Sequence, residues 1–200
     1  MSTRPVRALM VALFAALCLT FLPTSSIAAV AFDPEGVRVA PYAVTPDAVV
    51  DEMLQLANVG PDDYVVDLGS GDGRLVIRAV QHFHARGGFG VDISDKLVAY
   101  ANAWAAEQKV NDRVQFFVRD LFATDVRPAS VVTIYLFPKV MDRVGEKLRG
   151  ELAPGTRVVS HDFPLPGWPI KRIQTVAAPE KNDTTGRREA VLFLYVVPPP

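Results

Sequence analysis

The chain has 200 residues, a formal net charge of −1 and a single cysteine. That length suits one domain of ordinary size with a proper core, and the balanced charge carries no global basic signature for nucleic acid. Cys18 lies in an N-terminal apolar run, which excludes a disulfide framework or a cysteine-based metal site in the folded part. His82, His84 and His161 show no zinc-ligand spacing with acids, so no metal is expected.

The N-terminus reads as a targeting segment. Arg4 and Arg7 precede an apolar run over 8–22 that only Thr20 interrupts. Pro23, a polar patch over 24–26 and small-residue sites at 26–28 and 29–31 follow. This is a charged n-region, an apolar h-region and an A-x-A-like cleavage site. The run is short for a membrane span. Residues 1–31 are therefore expected to be a signal peptide, or a membrane anchor if uncleaved, with Arg4 and Arg7 holding the terminus inside. Either outcome puts the domain 32–200 outside the cytosol, periplasmic or secreted. A mitochondrial destination is the weaker reading, because the stretch is solidly apolar rather than amphipathic.

Residues 33–43 form a loop-like lead-in with Pro34, Gly36 and Pro41. Thr45 is expected as N-cap and Pro46 as first residue of a helix with Val49, Val50, Met53, Leu54 and Ala57 on its apolar face. A turn over 60–63 leads to a strand from Tyr64, rich in Val and Tyr and without alternation, as in a strand buried on both faces. It breaks on Gly69, Gly71 and Gly73 and runs into Leu75, Val76, Ala79, Val80 and Phe83 at helical spacing. Glycines let backbone approach a ligand and adopt φ > 0. The turn also aims the next helix's N–H groups at whatever lies in the crevice.

A second strand, 88–92, ends on Asp92, 25 residues after Asp67. An acid there accepts from ribose hydroxyls in nucleotide-binding α/β folds. Ser94 is the expected cap of a helix over 95–108. The third strand, 114–118, is followed by Asp120, Leu121 and Phe122, and 123–130 is too short for a full crossover helix. A fourth strand over 131–136 leads to Phe137-Pro138, a helix over 139–152 and a fifth strand over 157–160 ending in His161-Asp162-Phe163. Segments 170–177 and 190–197 read as a hairpin joined by the polar 179–189. The alternation predicts an α/β, Rossmann-like, doubly wound and mostly parallel sheet with right-handed crossovers and a C-terminal antiparallel hairpin. Ligand belongs at the carboxyl ends of its strands, where Asp67, Asp92, Asp120, Phe137 and His161 all fall.

The glycine spacing narrows the ligand. Against G-x-G-x-x-G the third glycine comes one place early, and Arg74 stands where the NAD pattern has glycine. Asp67-Leu68-Gly69-Ser70-Gly71-Asp72-Gly73 resembles motif I of the class I S-adenosylmethionine-dependent methyltransferases, a likeness covering about residues 60–160. With Pro41-Tyr42-Ala43-Val44-Thr45-Pro46, Val49-Val50 and Met53-Leu54 ahead of it, the chain is similar to the small lysine methyltransferases of mitochondrial membrane proteins. Those act on the c-subunit of ATP synthase and the adenine nucleotide translocator, and have bacterial relatives. The resemblance implies S-adenosyl-L-methionine as cofactor, held by Asp67, Gly69, Ser70, Gly71 and Asp92. It also implies Asp120 on the adenine amino group, Leu121 or Phe122 beside the ring, and Tyr42 and Thr45 folded over the methionine moiety. A sulfonium and an ammonium suit carboxylates and carbonyls rather than an anion cradle.

The implied acceptor is a lysine ε-amine of a protein partner, membrane-associated, with no nucleic acid involved. Tyr135-Leu136-Phe137-Pro138 stands where amino-group methyltransferases of DNA or glutamine carry Asn-Pro-Pro-Tyr. Tyr135, Phe137, His161 and Asp162 are the candidate aromatic wall and proton acceptor. Core packing competes for the first two, and a loop hydrogen bond for the others. Two other readings stand beside this one: an NAD-linked oxidoreductase, disfavoured by the glycine spacing, and a non-catalytic binding module outside the cytosol that kept the fold.

Overall fold

The computed structural model describes residues 44–181 and 186–199. The expectations for the leader, the lead-in over 33–43 and Tyr42 lie outside them. The strands are Tyr64–Leu68 (β1), Gly87–Asp92 (β2), Val114–Val118 (β3), Val131–Ile134 (β4), Arg157–His161 (β5), Arg172–Ala177 (β6) and Glu189–Val196 (β7). The helices are Asp47–Leu56 (α1), Arg74–His82 (α2), Asp95–Glu107 (α3) and Met141–Glu151 (α4). The strands form one sheet in the order β3-β2-β1-β4-β5-β7-β6. The first five are parallel, and β7 pairs antiparallel with both β5 and β6. This is the doubly wound sheet with a closing hairpin that the alternation predicts.

The central strands are buried on both faces, which is why β1 shows no alternation. Val65 packs with α1, α2 and α3, while Val66 and Leu68 pack with Met141, Val144 and Leu148 of α4 on the other side. The second face has fewer helices because the β3–β4 crossover contains only a 3₁₀ turn, Leu121–Ala123. Trp168 closes the gap: its ring meets Tyr195 edge-on at 5.9 Å, and its indole N–H donates to the Gly145 carbonyl at 3.2 Å.

Several boundaries differ from expectation: β4 ends at Ile134 rather than 136, and β6 begins at Arg172 rather than 170. Pro46, not Thr45, is the N-cap of α1, and no side chain caps it. The Thr45 hydroxyl is instead turned to His161, 116 residues away. The helix expected over 139–152 begins as a separate 3₁₀ turn, Pro138–Val140, before α4 proper. Ser94 does cap α3, accepting from the Leu97 amide at 3.4 Å.

Candidate active site

The sequence order of the parallel strands reverses between β1 and β4, the place where α/β sheets of this kind open a crevice beyond the carboxyl ends of their strands. Gly69, Gly71 and Gly73 follow β1, all at positive φ. At Gly73 a side chain is excluded twice over, since a Cβ would also stand 2.5 Å from the Phe116 ring. The loop's amides are spent inside the protein. Gly69 and Ser70 both donate to the Val91 carbonyl at 2.9 Å, and Gly71 donates to the Asp92 carboxylate at 3.1 Å. Gly73 donates to the Ser70 carbonyl at 2.9 Å, and Arg74 to Asp72 at 3.2 Å. A phosphate cradle needs such amides free and convergent. This loop therefore does not have the form of a pyrophosphate site, which removes the main support for the NAD-linked reading.

Three acids gather around this loop. Asp67 is buried at the end of β1, where Thr133 of β4 donates to it at 2.7 Å. Burial raises its pKa to about 7 against the Thr133 bond, and the nearby charges of Asp92 and Asp72 push in the same direction. Asp92 accepts from the Gly71 and Ser94 amides, so one carboxylate fixes both the loop and the start of α3. Asp72 is paired with Arg74 at 2.6 Å. Arg74 reaches on to the Thr45 carbonyl at 2.9 Å, fastening the start of α1 to the loop. An environment that holds a carboxyl partly neutral against its own neighbours is one that a cationic ligand relieves.

Ser70 lies in the loop, but its hydroxyl is buried, has no protein partner and is turned toward Gly90. Asp120 caps its own turn, accepting from the Phe122 amide at 2.8 Å. Leu121 is buried in the α4-side core, and Arg143 covers the Phe122 ring at 3.7 Å. Sequence reasoning missed Ile93, an aliphatic side chain 40% exposed between Asp92 and Ser94 at the crevice rim. The signal was present: an apolar residue between a strand-end acid and a helix cap.

The other side of the crevice starts where β4 ends. Leu136 stands against Gly69, whose Cβ would lie 3.0 Å from it, so the 135–137 segment flanks the loop directly. The Tyr135 ring stacks on His161 at 3.8 Å, and its hydroxyl donates to Asp162 across 3.4 Å. Phe137, two residues on, is half-buried. Burial, then the Asp162 charge, push the Tyr135 pKa up to about 12. His161 is fully buried and has its pKa lowered to about 4 by burial, with Lys181 adding to the fall and Asp162 opposing it. Both of its nitrogens are engaged, Nδ1 with Thr45 at 3.5 Å and Nε2 with Lys181 at 3.2 Å. Asp162 has positive φ and is tied to β7 in both directions: its amide donates to the Val191 carbonyl, and its carboxylate accepts from the Val191 amide. Lys181, also missed from sequence, is buried at the far end of this group and ion-paired with Asp162.

Comparison with known proteins follows this geometry. Residues 67–172 match the family model described as the ANTKMT methyltransferase domain. The chain belongs to that methyltransferase family. It is 39% identical over 157 residues to a protein-lysine N-methyltransferase of Saccharolobus islandicus, covering 78% of this chain and 93% of that one. It is 36% identical over 128 residues to the adenine nucleotide translocase lysine N-methyltransferase of Mus musculus, covering 64% of this chain and 55% of that one. The chain thus spans about half the length of this animal relative. Among solved structures it resembles one described as an RNA methyltransferase from Salinibacter ruber in complex with S-adenosyl-L-homocysteine. There the TM-score is 0.70 and the identity 40%, covering 79% of this chain and 95% of the other. This methyltransferase is an enzyme that uses S-adenosyl-L-methionine. Its residues fit that cofactor: acids gather around the glycine loop, the loop offers no anion cradle, and the backbone at Gly69 is exposed.

Proposed function

We propose that the enzyme methylates a lysine ε-amine of a protein, with Asp67, Gly69, Gly71 and Asp92 forming the cofactor side of the crevice and Tyr135 and Phe137 the acceptor side. The observation that carries this reading is the pairing of Tyr135 with Asp162 beside the glycine loop. When bound, S-adenosyl-L-methionine supplies an electrophilic methyl group on a positive sulfur. The chain supplies the rest. Asp67 and Asp92 offer carboxylates to a cationic ligand and to hydroxyls. The half-buried aromatic wall packs the methylenes of a lysine stem and favours the neutral amine by desolvation. The Tyr135 hydroxyl donates a hydrogen bond to Asp162 and keeps its lone pairs for the amine's N–H. The two lysine methyltransferase relatives support the same acceptor.

The Salinibacter ruber structure favours a second reading, RNA as acceptor. Against it stand the net charge of −1 and the acids around the loop, since RNA binding rests on basic residues meeting phosphate. Incubating the full chain with methyl-labelled cofactor and, in parallel, a membrane-protein extract and total RNA separates the two. Label on lysine is expected; label confined to RNA, lipid or small molecules rejects the proposal. A membrane-associated partner reached by export through residues 1–31 belongs to the same proposal. Amino-terminal sequencing of native protein tests the export, and a soluble cytosolic form starting at Met1 refutes it.

A further inference from the structure

Lys181 is an unusual residue to bury. It comes from a polar stretch after β6, yet its side chain is 3% exposed. Lysine is almost never enclosed unless paired. Its ammonium donates to the Asp162 carboxylate, to His161 Nε2 at 3.2 Å and to the Glu189 carbonyl at 3.2 Å. An ammonium has only donors. His161 Nε2 must therefore offer its lone pair, which places the ring proton on Nδ1, donating to the Thr45 hydroxyl. Asp162 Oδ2 receives both Lys181 and the Tyr135 hydroxyl. A carboxylate has only acceptors, so the Tyr135 proton points at Asp162.

We propose that Lys181 is a positioning residue for methyl transfer: it keeps Asp162 a carboxylate and His161 in the Nδ1–H form, and thereby holds the Tyr135 hydroxyl with its lone pairs turned to the acceptor amine. Without Lys181, Asp162 loses the cation beside its buried charge and gains reason to take a proton. A protonated Asp162 donates to Tyr135, and the hydroxyl polarity reverses. The lowered pKa of Asp162 agrees with this: burial raises it, but the Lys181 bond and the His161 and Val191 contacts more than offset that. Arg187 adds a weaker positive influence at Tyr135. The last part of the proposal rests on the acceptor entering beside Tyr135.

Nuclear magnetic resonance tests the first part with no acceptor present. A His82→Gln/His84→Gln variant leaves His161 as the chain's one histidine. Its ¹⁵N shifts are expected to report the neutral Nδ1–H form throughout pH 5 to 8, the range around the free imidazole value of about 6.5. An Nε2–H form, which would face Asp162 Oδ1 at 3.5 Å, overturns the proposal even if no Lys181 variant folds. In the same background Lys181→Met is expected to mix the two ring forms. It should leave S-adenosyl-L-homocysteine affinity within about twofold and lower kcat for labelled transfer to lysine on the order of 10–100-fold, the scale of a misplaced group at a reacting centre. Unchanged ring form and unchanged kcat overturn it. If neither protein labels lysine, the acceptor reading fails while the resonance result still decides the role of Lys181.

Discussion

Asp67→Asn is the sharpest perturbation this site allows. The amide keeps an oxygen for the Thr133 hydroxyl, now 2.7 Å from the carboxylate, and removes only the charge. Asp67 carries a pKa of about 7 in the folded protein, against 3.8 for the free side chain. That rise corresponds to about 4 kcal/mol between its protonation states. An acid whose pKa is raised by folding favours the native state at pH below the unfolded value, and this benefit is lost as pH climbs through the folded value. From pH 5 to pH 8 the ligand-free wild type should lose roughly 2–3 kcal/mol through this one group. Asp67→Asn should lack that component, so its advantage over wild type grows with pH. Urea unfolding of both proteins at pH 5 and pH 8 measures it. A constant difference between the two proteins, or one that shrinks toward pH 8, refutes the reasoning. The same substitution should weaken S-adenosyl-L-methionine more than S-adenosyl-L-homocysteine, because only the first carries a net positive charge for a nearby carboxylate to favour.

Asp92→Ala removes the acceptor of two amides and a candidate partner for ribose hydroxyls. It should cost about 1.5–3 kcal/mol of cofactor affinity by calorimetry, and unchanged affinity would sink that assignment. Gly90→Ala would put a Cβ 2.4 Å from the Ser70 Cβ. A loss of about 1–3 kcal/mol in urea unfolding is expected, partly recovered when Ser70→Gly is added; no recovery would show that Ser70 is not the obstacle. Tyr135→Phe keeps the ring on His161 and loses only the hydroxyl. Transfer to lysine should fall about 10–100-fold, the value of one hydrogen bond to a charged partner, while homocysteine-product affinity stays level; equal transfer by both proteins removes Tyr135 from the acceptor side.

The parts of the fold readable from sequence are those decided by neighbours in the chain. Continuous burial of 64–68, glycines at 69, 71 and 73, and helical spacing from Leu75 locate β1, its turn and α2 without distant information. Asp67 and Asp92 follow from their places at strand ends. The errors lie where a distant partner wins. Thr45 has the composition of a cap, but His161 takes its hydroxyl and Pro46 ends the chain's extended entry to α1. Lys181 sits in a segment whose polarity suggests solvent, and only the pairing of β7 with β5 brings it under Asp162. The spent amides of the glycine loop are equally invisible in one dimension, since motif spacing does not say where each N–H goes.

The sheet order has a consequence for the time course of synthesis. The strands that flank the cofactor side, β1, β2 and β4, are made before residue 135, and their mutual pairing needs nothing later. The outer edge of β5 is different: its antiparallel neighbour, β7, is translated well after it and also brings the amide and carbonyl of Val191 to Asp162. Until that strand leaves the ribosome, His161 and Asp162 lie along an uncovered edge, and Thr45 has no settled imidazole to meet. A nascent chain can thus assemble the β1, β2 and β4 side of the site before the β5 and β7 side exists.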